Sequence, residues 1–283
     1  MIGPAPGAGE GDVTVAENQV DLHTDRPHPA RVYDYLLGGK DNFAADREAA
    51  HRGLQANPDS RIPPRENRLF LRRAVRFLAE QGIDQFLDIG TGIPSPPNVH
   101  HVAQEINPRS RIVYVDNDPI VLTHARALLT SHPDGRTDYI DADLRDVDSI
   151  LGSPALTGTL DLNRPVGLLL IAILHFIGDD HDPWEIVNRL LAPLPSGSYL
   201  VLSHLTGDFR PEAWEQIAEV YRRQGVTMQV RPKPQIERFF TGLELVDPGL
   251  QIVPAWRPDL GEPTDPVPSD AQVSVYGAVA RKP

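Results

Sequence analysis

Three carboxylate residues lie in or beside short apolar runs, where their side chains could contact a positively charged ligand. Asp88 lies one residue before the end of one run, Asp116 closes the next, and Asp143 follows a third. If these runs are neighbouring strands of a parallel sheet, their carboxyl ends meet at one edge and bring the three side chains together. Carboxylates in such a group attract an ammonium or a sulfonium and repel a phosphate. The sequence therefore favours a cationic ligand at this edge.

A glycine turn follows the first of these carboxylates. Gly90 and Gly92 flank Thr91 directly after the apolar run, and glycine there permits a sharp turn and close approach of a ligand to the backbone. The dinucleotide spacing G-x-G-x-x-G fails because Ser95 stands where the third glycine would be. A pyrophosphate would also be repelled by Asp88. Both observations favour a cationic cofactor over NAD, although Asp88 could instead only cap a backbone group.

The acidic ends of the second and third runs suit the two parts of an adenosine. Asp116 can accept hydrogen bonds from both ribose hydroxyls, and Asn117 can lie over the adenine ring. Asp143 can accept from the adenine amino group, and Leu144 can pack on the ring. Asp141 competes with Asp143 for this role, and a solvated loop carboxylate is the other alternative.

Two histidines follow later strands and are candidates for proton transfer. His175 is predicted at the rim of the cofactor pocket, and an unperturbed imidazole titrates near ~6.5, so it can act as a general base at neutral pH. Packing or orientation of an acceptor is the alternative, and His204 is a second candidate. A metal site that combines both with the acidic loop 179–182 is conceivable. That loop more simply forms the cap of a helix at Pro183, so we predict no metal.

The elements that must position these residues alternate between strands and helices after Gly82. Candidate strands are 85–89, 111–116, 137–141, 166–173, 198–203, 243–246 and 272–280, with helices near 98–107, 119–130, 182–192 and 210–224. This alternation predicts an α/β fold with a mostly parallel sheet and helices on both faces. Ile171 and Ala172, at the end of the fourth strand, are then expected beside the cofactor. The Pro-rich span 247–271 is predicted to be irregular.

The N-terminal part has a different character. Residues 1–28 are rich in Gly, Pro, Ala and acids without apolar periodicity, which predicts a flexible tail. We expect residues 29–64 to form a helical cap that closes the pocket as a lid, with Tyr33 and Asn42 facing the cofactor or the acceptor. A plain helix that ends at a glycine pair is the alternative. Residues 65–283 would form the cofactor-binding domain.

Composition limits the classes of protein that this chain can be. The formal net charge of −12 over 283 residues makes a nucleic-acid partner unlikely. The absence of cysteine excludes disulfides, thiolate catalysis and Cys-based zinc sites. No run of 18 apolar residues and no secretory signal is present, so we expect a cytoplasmic protein without a membrane span. The oligomeric state cannot be read from the sequence.

The motifs together resemble those of class I S-adenosylmethionine-dependent methyltransferases. The segments that carry the resemblance, in order, are 87–92, 115–116, 143–144 and 174–175. Residues 31–43 and 242–250 are similar to the signatures of one bacterial family of S-adenosyl methyltransferases, formerly catalogued as a domain of unknown function. With these, the resemblance extends over about residues 28–283.

The resemblance implies a Rossmann-like, seven-stranded sheet with the last strand antiparallel, an N-terminal helical addition and S-adenosyl-L-methionine as cofactor. Its pattern places the methionine part over Gly90 and Gly92, with Asp88 toward the amino group. Two positions depart from the pattern: Pro94 replaces the common third glycine, and Val166 stands where many relatives carry an acid.

The function that follows is methyl transfer to a small-molecule acceptor, which the sequence does not identify. Displacement from a sulfonium needs the acceptor held in line and needs a base only when the nucleophile must lose a proton. A cofactor-binding protein without turnover, acting as a sensor or interaction module, is the alternative. A nucleotide-dependent oxidoreductase is disfavoured by Asp88 and by the missing third glycine.

Overall fold

A central sheet organises the chain in the computed structural model, which describes residues 22–128, 130–262 and 264–283. Its strands are β1 (Gln85–Ile89), β2 (Arg111–Asp116), β3 (Arg136–Asp141), β4 (Gly167–Ile171), β5 (Tyr199–Leu205), β6 (Glu244–Leu245), β7 (Gln251–Ile252) and β8 (Val275–Arg281). They lie in the order β3-β2-β1-β4-β5-β8-β6, and β7 also pairs with β8. Strands β1 to β5 are parallel, whereas β8 runs antiparallel to β5, β6 and β7.

Helices surround this sheet and bury it. They are α1 (Pro29–Leu37), α2 (Ala44–Ala56), α3 (Ile62–Glu80), α4 (Val99–Ile106), α5 (Pro119–Leu128), α6 (Val147–Leu151), α7 (Pro154–Thr159), α8 (Pro183–Leu191), α9 (Pro211–Arg222), α10 (Lys233–Glu237) and α11 (Asp270–Val273). The main core joins apolar residues of α3, α4 and α8 to the parallel strands. All five residues of β1 are buried, as expected of a central parallel strand covered on both faces. None of the described helices is both long and apolar enough to cross a membrane.

The seven predicted strands are present, and local chemistry explains where their bounds differ. The predicted fourth strand extends to residue 173, but β4 ends before Ala172, whose φ of +54° interrupts the extended backbone. The predicted last strand begins at Gln272, but Ser269 and Gln272 form a capping box and start the short helix α11 instead. Strand β7 is additional and lies in the Pro-rich span predicted to be irregular.

The N-terminal helices pack against the remainder of the chain and differ in part from the predicted division. Residues 1–21 of the predicted tail lie outside the described residues, while the carbonyls of Leu22 and His23 accept hydrogen bonds from Arg31. Helix α1 ends at Gly38, whose φ is +86°. The predicted boundary between residues 64 and 65 falls inside α3, so the predicted cap and domain share one helix.

Candidate functional site

A cavity of about 300 Å³ opens where the carboxyl ends of the parallel strands meet. This volume is at the lower end of the usual range for small-molecule sites. We call it the main cavity. Eleven of the twelve predicted cofactor residues line it: Tyr33, Asp88, Gly90, Thr91, Gly92, Asp116, Asn117, Asp143, Leu144, Ile171 and Ala172. The three carboxylates from successive strand ends therefore do share one hollow.

The glycine turn after β1 is fixed by the backbone of β2. The N–H groups of Gly90 and Thr91 both donate to the Val115 carbonyl, at 2.8 and 3.2 Å. Gly90 has φ +76°, and a Cβ there would lie 2.7 Å from Cγ1 of Ile173. Gly92 has φ +67°, and a Cβ there would meet no atom within 4 Å, since the residue borders open space. Glycine is thus required at Gly90 by conformation and by close packing.

Asp88 is buried beneath this turn. The Thr91 hydroxyl donates to its Oδ2 at 3.0 Å, while Oδ1 has no hydrogen-bond donor among the described residues. Burial raises the pKa of the Asp88 carboxyl to about 6, against the lowering effects of the Thr91 hydrogen bond and the positive Arg68. A buried carboxylate with one unused oxygen is suited to receive a cationic donor.

Asp116 closes β2 and is tied to the backbone on both oxygens. The N–H of Gly92 donates to Oδ2 at 2.8 Å, and the N–H of Asp118 donates to Oδ1 at 3.0 Å. Burial raises the pKa of this carboxyl, although both backbone donors act in the opposite direction. The side chain is therefore held rigidly at the cavity wall, with the second lone pair of each oxygen still available.

Asp118, two residues further on, anchors α1 as well as α5. It accepts from the Ile120 N–H at 2.9 Å at the start of α5, as a helix-capping aspartate does. It also pairs with the Arg31 guanidinium at 2.8 Å and with His28 Nδ1 at 3.1 Å. Burial alone would raise the pKa of Asp118, but the hydrogen bonds from His28 and Arg31 prevail and lower it.

Asp143 differs from the other two carboxylates because a cation already neutralises it. Arg145 pairs with it at 2.5 Å, and Asn117 Nδ2 donates to Oδ2 at 3.0 Å. The Arg145 hydrogen bond lowers the pKa of Asp143 to about 2. The competitor Asp141 is exposed and does not line the main cavity.

Helix α3 contributes a cation that sequence analysis missed. Arg68 lines the main cavity near Asp88, and its Nη2 donates to the carbonyls of Ser95 and Pro97 at 2.5 and 3.1 Å. Its Nε is buried and has no hydrogen-bond partner among the residues that the structure describes. Nothing in the local pattern of α3 distinguishes Arg68 from the other arginines of that helix, because only the tertiary fold brings it to the strand ends. Arg145 had a local signal, two residues after Asp143.

A chain of hydrogen bonds joins α1, α3 and the ends of β4 and β5 along the cavity wall. The Ala172 N–H donates to the Ser203 hydroxyl at 3.0 Å, and that hydroxyl donates to Asn67 Oδ1 at 2.6 Å. Asn67 Nδ2 then donates to the Tyr33 hydroxyl at 3.0 Å, and Tyr33 donates to the Pro64 carbonyl at 2.9 Å. Tyr33, predicted to face the ligand, is therefore held at the wall by two hydrogen bonds.

Asn42 is the predicted cofactor residue that the fold does not bring to the main cavity. Its amide nitrogen donates to Asp34 Oδ2 at 2.8 Å and to the Gly39 carbonyl at 3.1 Å. The Asp41 N–H donates to the same carboxylate oxygen at 3.0 Å. Asn42 therefore stabilises the turn after α1, while Asp34, whose pKa burial raises, lines the cavity.

His175, predicted at the rim of the cofactor pocket, lies beside it. It lines a smaller, neighbouring space of about 80 Å³, which we call the inner chamber, and is only 3% exposed. Burial lowers the pKa of His175 well below the ordinary value, and the nearby His204 and Arg231 act in the same direction. The imidazole is consequently neutral and weakly basic.

His204, the second candidate, lines neither cavity. Its Nδ1 bonds the Leu205 carbonyl at 2.6 Å, and its Nε2 accepts from the buried Arg231 at 3.0 Å. Burial lowers the pKa of His204 to about 3. Arg231 also pairs with Asp179 at 2.7 Å, so a carboxylate of the acidic loop is held in an ion pair. Within the described ranges, no group of three or more potential ligand side chains is arranged to hold a metal ion.

Comparison with known proteins identifies the family of this chain. A family model described as S-adenosyl methyltransferase matches residues 15–283. A DUF574 family protein from Streptomyces avermitilis MA-4680 has 49% identity, with 93% of this chain and 100% of that chain covered and a TM-score of 0.88. A candidate methyltransferase from Thermobifida fusca YX has 41% identity, with 92% and 97% covered and a TM-score of 0.84.

A more distant likeness concerns the fold alone. The plantazolicin methyltransferase BpumL, solved with S-adenosylhomocysteine and a triazolic analogue, has 11% identity, with 90% of this chain and 96% of that chain covered and a TM-score of 0.51. No curated protein matches the sequence.

Proposed function

This chain belongs to the S-adenosyl methyltransferase family, and we propose that it transfers a methyl group from S-adenosylmethionine to a small molecule. The observation that carries the proposal is the convergence of Asp88, Asp116 and Asp143 on the main cavity. Arg145 neutralises Asp143, whereas Asp88 and Asp116 form no ion pair among the described residues, so these two carboxylates suit a ligand that bears an ammonium and a sulfonium.

The residues of the main cavity fit this cofactor on two observations. The Arg68 Nε is a buried donor without a partner among the described residues. Asp88 is a buried residue whose Oδ2 accepts from Thr91, while its Oδ1 receives no hydrogen bond from the described residues. The amino-acid end of the cofactor carries one carboxylate and one ammonium, which would complement these two groups. Gly92 adds open space on the same wall, where a side chain would intrude.

The adenosine end would lie toward β2 and β3. Asp116, fixed by the N–H groups of Gly92 and Asp118, would accept from the ribose hydroxyls. Leu144 and Asn117 would contact the adenine faces. Arg145 already pairs with Asp143. We therefore propose that Asp143 mainly orients Asn117 and contributes less to binding the adenine amino group.

When bound, the cofactor supplies a methyl group on a positively charged sulfur. The chain's own contribution is to hold the acceptor in line and exclude water. A catalytic base at His175 remains a prediction; its neutral imidazole can accept a proton, but its lowered pKa makes it a weak base.

Helix α1 is proposed as the lid of the main cavity. Its residues Pro29, Ala30, Tyr33, Asp34 and Leu37 line one wall, and Arg31 fastens the helix to Asp118. If α1 closes on the bound cofactor, amide hydrogen exchange across residues 29–43 should slow on addition of S-adenosylhomocysteine. Exchange that is unchanged at saturation would contradict the lid.

Calorimetry tests the cofactor assignment. We expect S-adenosylmethionine and S-adenosylhomocysteine to bind and NAD not to bind. Asp88→Asn should weaken both adenosyl ligands by roughly 10- to 100-fold, the loss of a charge-assisted hydrogen bond. Asp141→Asn is the matched control, since it removes an exposed carboxylate from the end of β3 without touching the cavity. Equal loss in both variants, or tight NAD binding, would overturn the assignment.

The acceptor class is tested by product release. The protein is incubated with S-adenosylmethionine and either the small-molecule ultrafiltrate of a cell extract or nucleic acid. We expect adenosylhomocysteine to accumulate with the metabolites alone. Accumulation with nucleic acid, or with neither, would contradict a small-molecule acceptor.

A further inference from the structure

The inner chamber adjoins the main cavity and has no role in cofactor binding as proposed above. It lies among α1, α2, α9 and the ends of β4 and β5, and its volume is about 80 Å³. Both spaces share Pro29, Tyr33, Asn67, Ala172 and Phe176 on their walls. A molecule in the inner chamber would therefore meet a ligand of the main cavity across this common wall.

The wall of the inner chamber is apolar and rich in aromatic rings. It includes Tyr33, Phe176, Trp214 and Tyr221, together with aliphatic residues, and none of its lining residues is Lys, Arg, Asp or Glu. His175 is neutral because burial lowers its pKa. A charged group placed there would be desolvated without a counter-ion, which is strongly unfavourable. The chamber consequently selects an uncharged guest.

Two residues that line the chamber each carry a buried polar atom without a hydrogen-bond partner among the described residues. These atoms are Trp214 Nε1 and His175 Nδ1, and both residues are only 3% exposed. An indole N–H is a donor only, and a buried one usually finds an acceptor. The polar groups of Tyr33 and Asn67 are already satisfied by each other and by their neighbours. The unpartnered Trp214 N–H therefore calls for a guest with an oxygen or nitrogen acceptor.

Gly53 provides an independent sign that the chamber is a true void. It lies at the start of the last turn of α2, is buried and lines the chamber, yet a Cβ built on it would meet no atom within 4 Å. Buried helical positions are normally close-packed. The space beside Gly53 is thus large enough for a side chain, and the sequence leaves it unfilled.

We propose that the inner chamber binds the methyl acceptor through a single uncharged aromatic ring that carries an oxygen or nitrogen acceptor toward Trp214. The inference rests on the proposed methyltransferase function. The chamber is smaller than the ~150 Å³ cavity that admits benzene, so a ring enters only partly. Its remaining edge extends to the wall shared by Tyr33 and Ala172, toward the main cavity.

The probe for this site is 4-fluorophenol, followed by fluorine NMR on protein saturated with S-adenosylhomocysteine. 4-Fluorobenzoate and 4-fluorobenzylammonium are the charged comparators. We expect the phenol to bind and both ions to bind at least tenfold more weakly. No binding of the phenol up to its solubility limit, or equal binding of an ion, would overturn the proposal.

Two variants locate the probe. Gly53→Leu should fill the chamber and weaken 4-fluorophenol at least tenfold, and Trp214→Phe should weaken it roughly two- to tenfold through the lost N–H donor. Gly158→Leu, at an exposed helical glycine of α7, is the matched control and should change nothing. An unchanged affinity for the phenol in Gly53→Leu would place the probe elsewhere and refute the chamber.

Calorimetry with S-adenosylhomocysteine keeps the two proposals separable. Gly53 does not line the main cavity, so all three variants should bind S-adenosylhomocysteine as the wild type does. This result also shows that the variants are folded. Failure of the wild type to bind S-adenosylhomocysteine would refute the proposed function. If the wild type binds S-adenosylhomocysteine but not 4-fluorophenol, only the proposed acceptor class is refuted.

Discussion

Arg31 and Asp118 form a buried, two-pronged ion pair between α1 and the segment that follows β2. Arg31 Nε donates to Asp118 Oδ2 at 2.8 Å, and Nη2 donates to Oδ1 at 3.2 Å. The Asp118 N–H in turn donates to Asp116, a carboxylate of the main cavity. The ion pair therefore connects the position of the N-terminal helix to the geometry of the candidate cofactor site.

The first prediction concerns this pair. Arg31→Met should reduce the free energy of unfolding by about 3–5 kcal/mol, because it removes the guanidinium from the buried Asp118 carboxylate and leaves only His28 and the Ile120 N–H beside it. Arg52→Ala, which breaks the exposed pair with Glu48 on α2, should cost only about 0.5 kcal/mol. Urea denaturation measures both. Similar losses in the two variants would argue that the Arg31 pair is no stronger than a surface pair.

The second prediction concerns pH. The pKa of Asp88 is about 6 in the ligand-free protein, raised by burial, and an ammonium ligand requires its ionised form. Affinity for S-adenosylhomocysteine should therefore be full above pH 7 and fall as pH drops through 6, by up to tenfold per pH unit. In Asp88→Asn, the slope of log affinity against pH below pH 6 should be smaller by one, because one titrating proton is lost. Asp141→Asn should retain it, and an equal slope in Asp88→Asn would assign the titration to another group.

The third prediction concerns the glycine turn. Gly90→Ala places a methyl group 2.7 Å from Ile173 in a left-handed conformation, so it should cost about 2–4 kcal/mol and weaken adenosyl ligands. Gly38→Ala has a similar φ with open space around it and should cost about 1–2 kcal/mol with unchanged affinity.

A second substitution at Ile173 separates the two reasons why position 90 requires glycine, the contact with Ile173 and the left-handed backbone. Adding Ile173→Ala to Gly90→Ala should restore part of the lost stability and affinity, a coupling that a double-mutant cycle measures. Additive losses would show that the strain of the turn, and not contact with Ile173, requires glycine.

The fourth prediction concerns His175. Because burial lowers its pKa well below the ordinary value, its ring resonances should not titrate between pH 8 and 5 in proton NMR. The resonances are assigned by their loss in His175→Gln. A midpoint above 6 would contradict the neutral state inferred for the inner chamber and would restore His175 as an efficient base.

Sequence reasoning located the strand ends because apolar runs and glycine turns are local signals. The bounds of β1 and β2 agree with the predicted ones to the residue, and eleven predicted cofactor residues line one cavity. The failures are tertiary. Arg68 reaches the cavity through the packing of α3, Asn42 is turned toward Asp34, and His175 lies behind Ala172 in a second space.

The fold of the N-terminal segment could be predicted only in outline. A glycine pair signals the end of α1, but no pattern signals that Arg31 will pair with Asp118, 87 residues away. The inner chamber was likewise invisible, because it is formed by small residues of α2 facing α9. Such a void forms where residues have small side chains or none, whereas sequence patterns reveal the positions of large apolar side chains.

Strand β8 has a consequence for how the protein is made. It fills the gap between β5 and β6, and its residues come after all of the others in the sheet. While the ribosome synthesises the intervening segment at about 5–20 residues per second, the flank of β5 stays open for several seconds. A nascent chain at this stage presents the apolar strand β5 without its β8 partner, so chaperone protection during translation should favour correct folding.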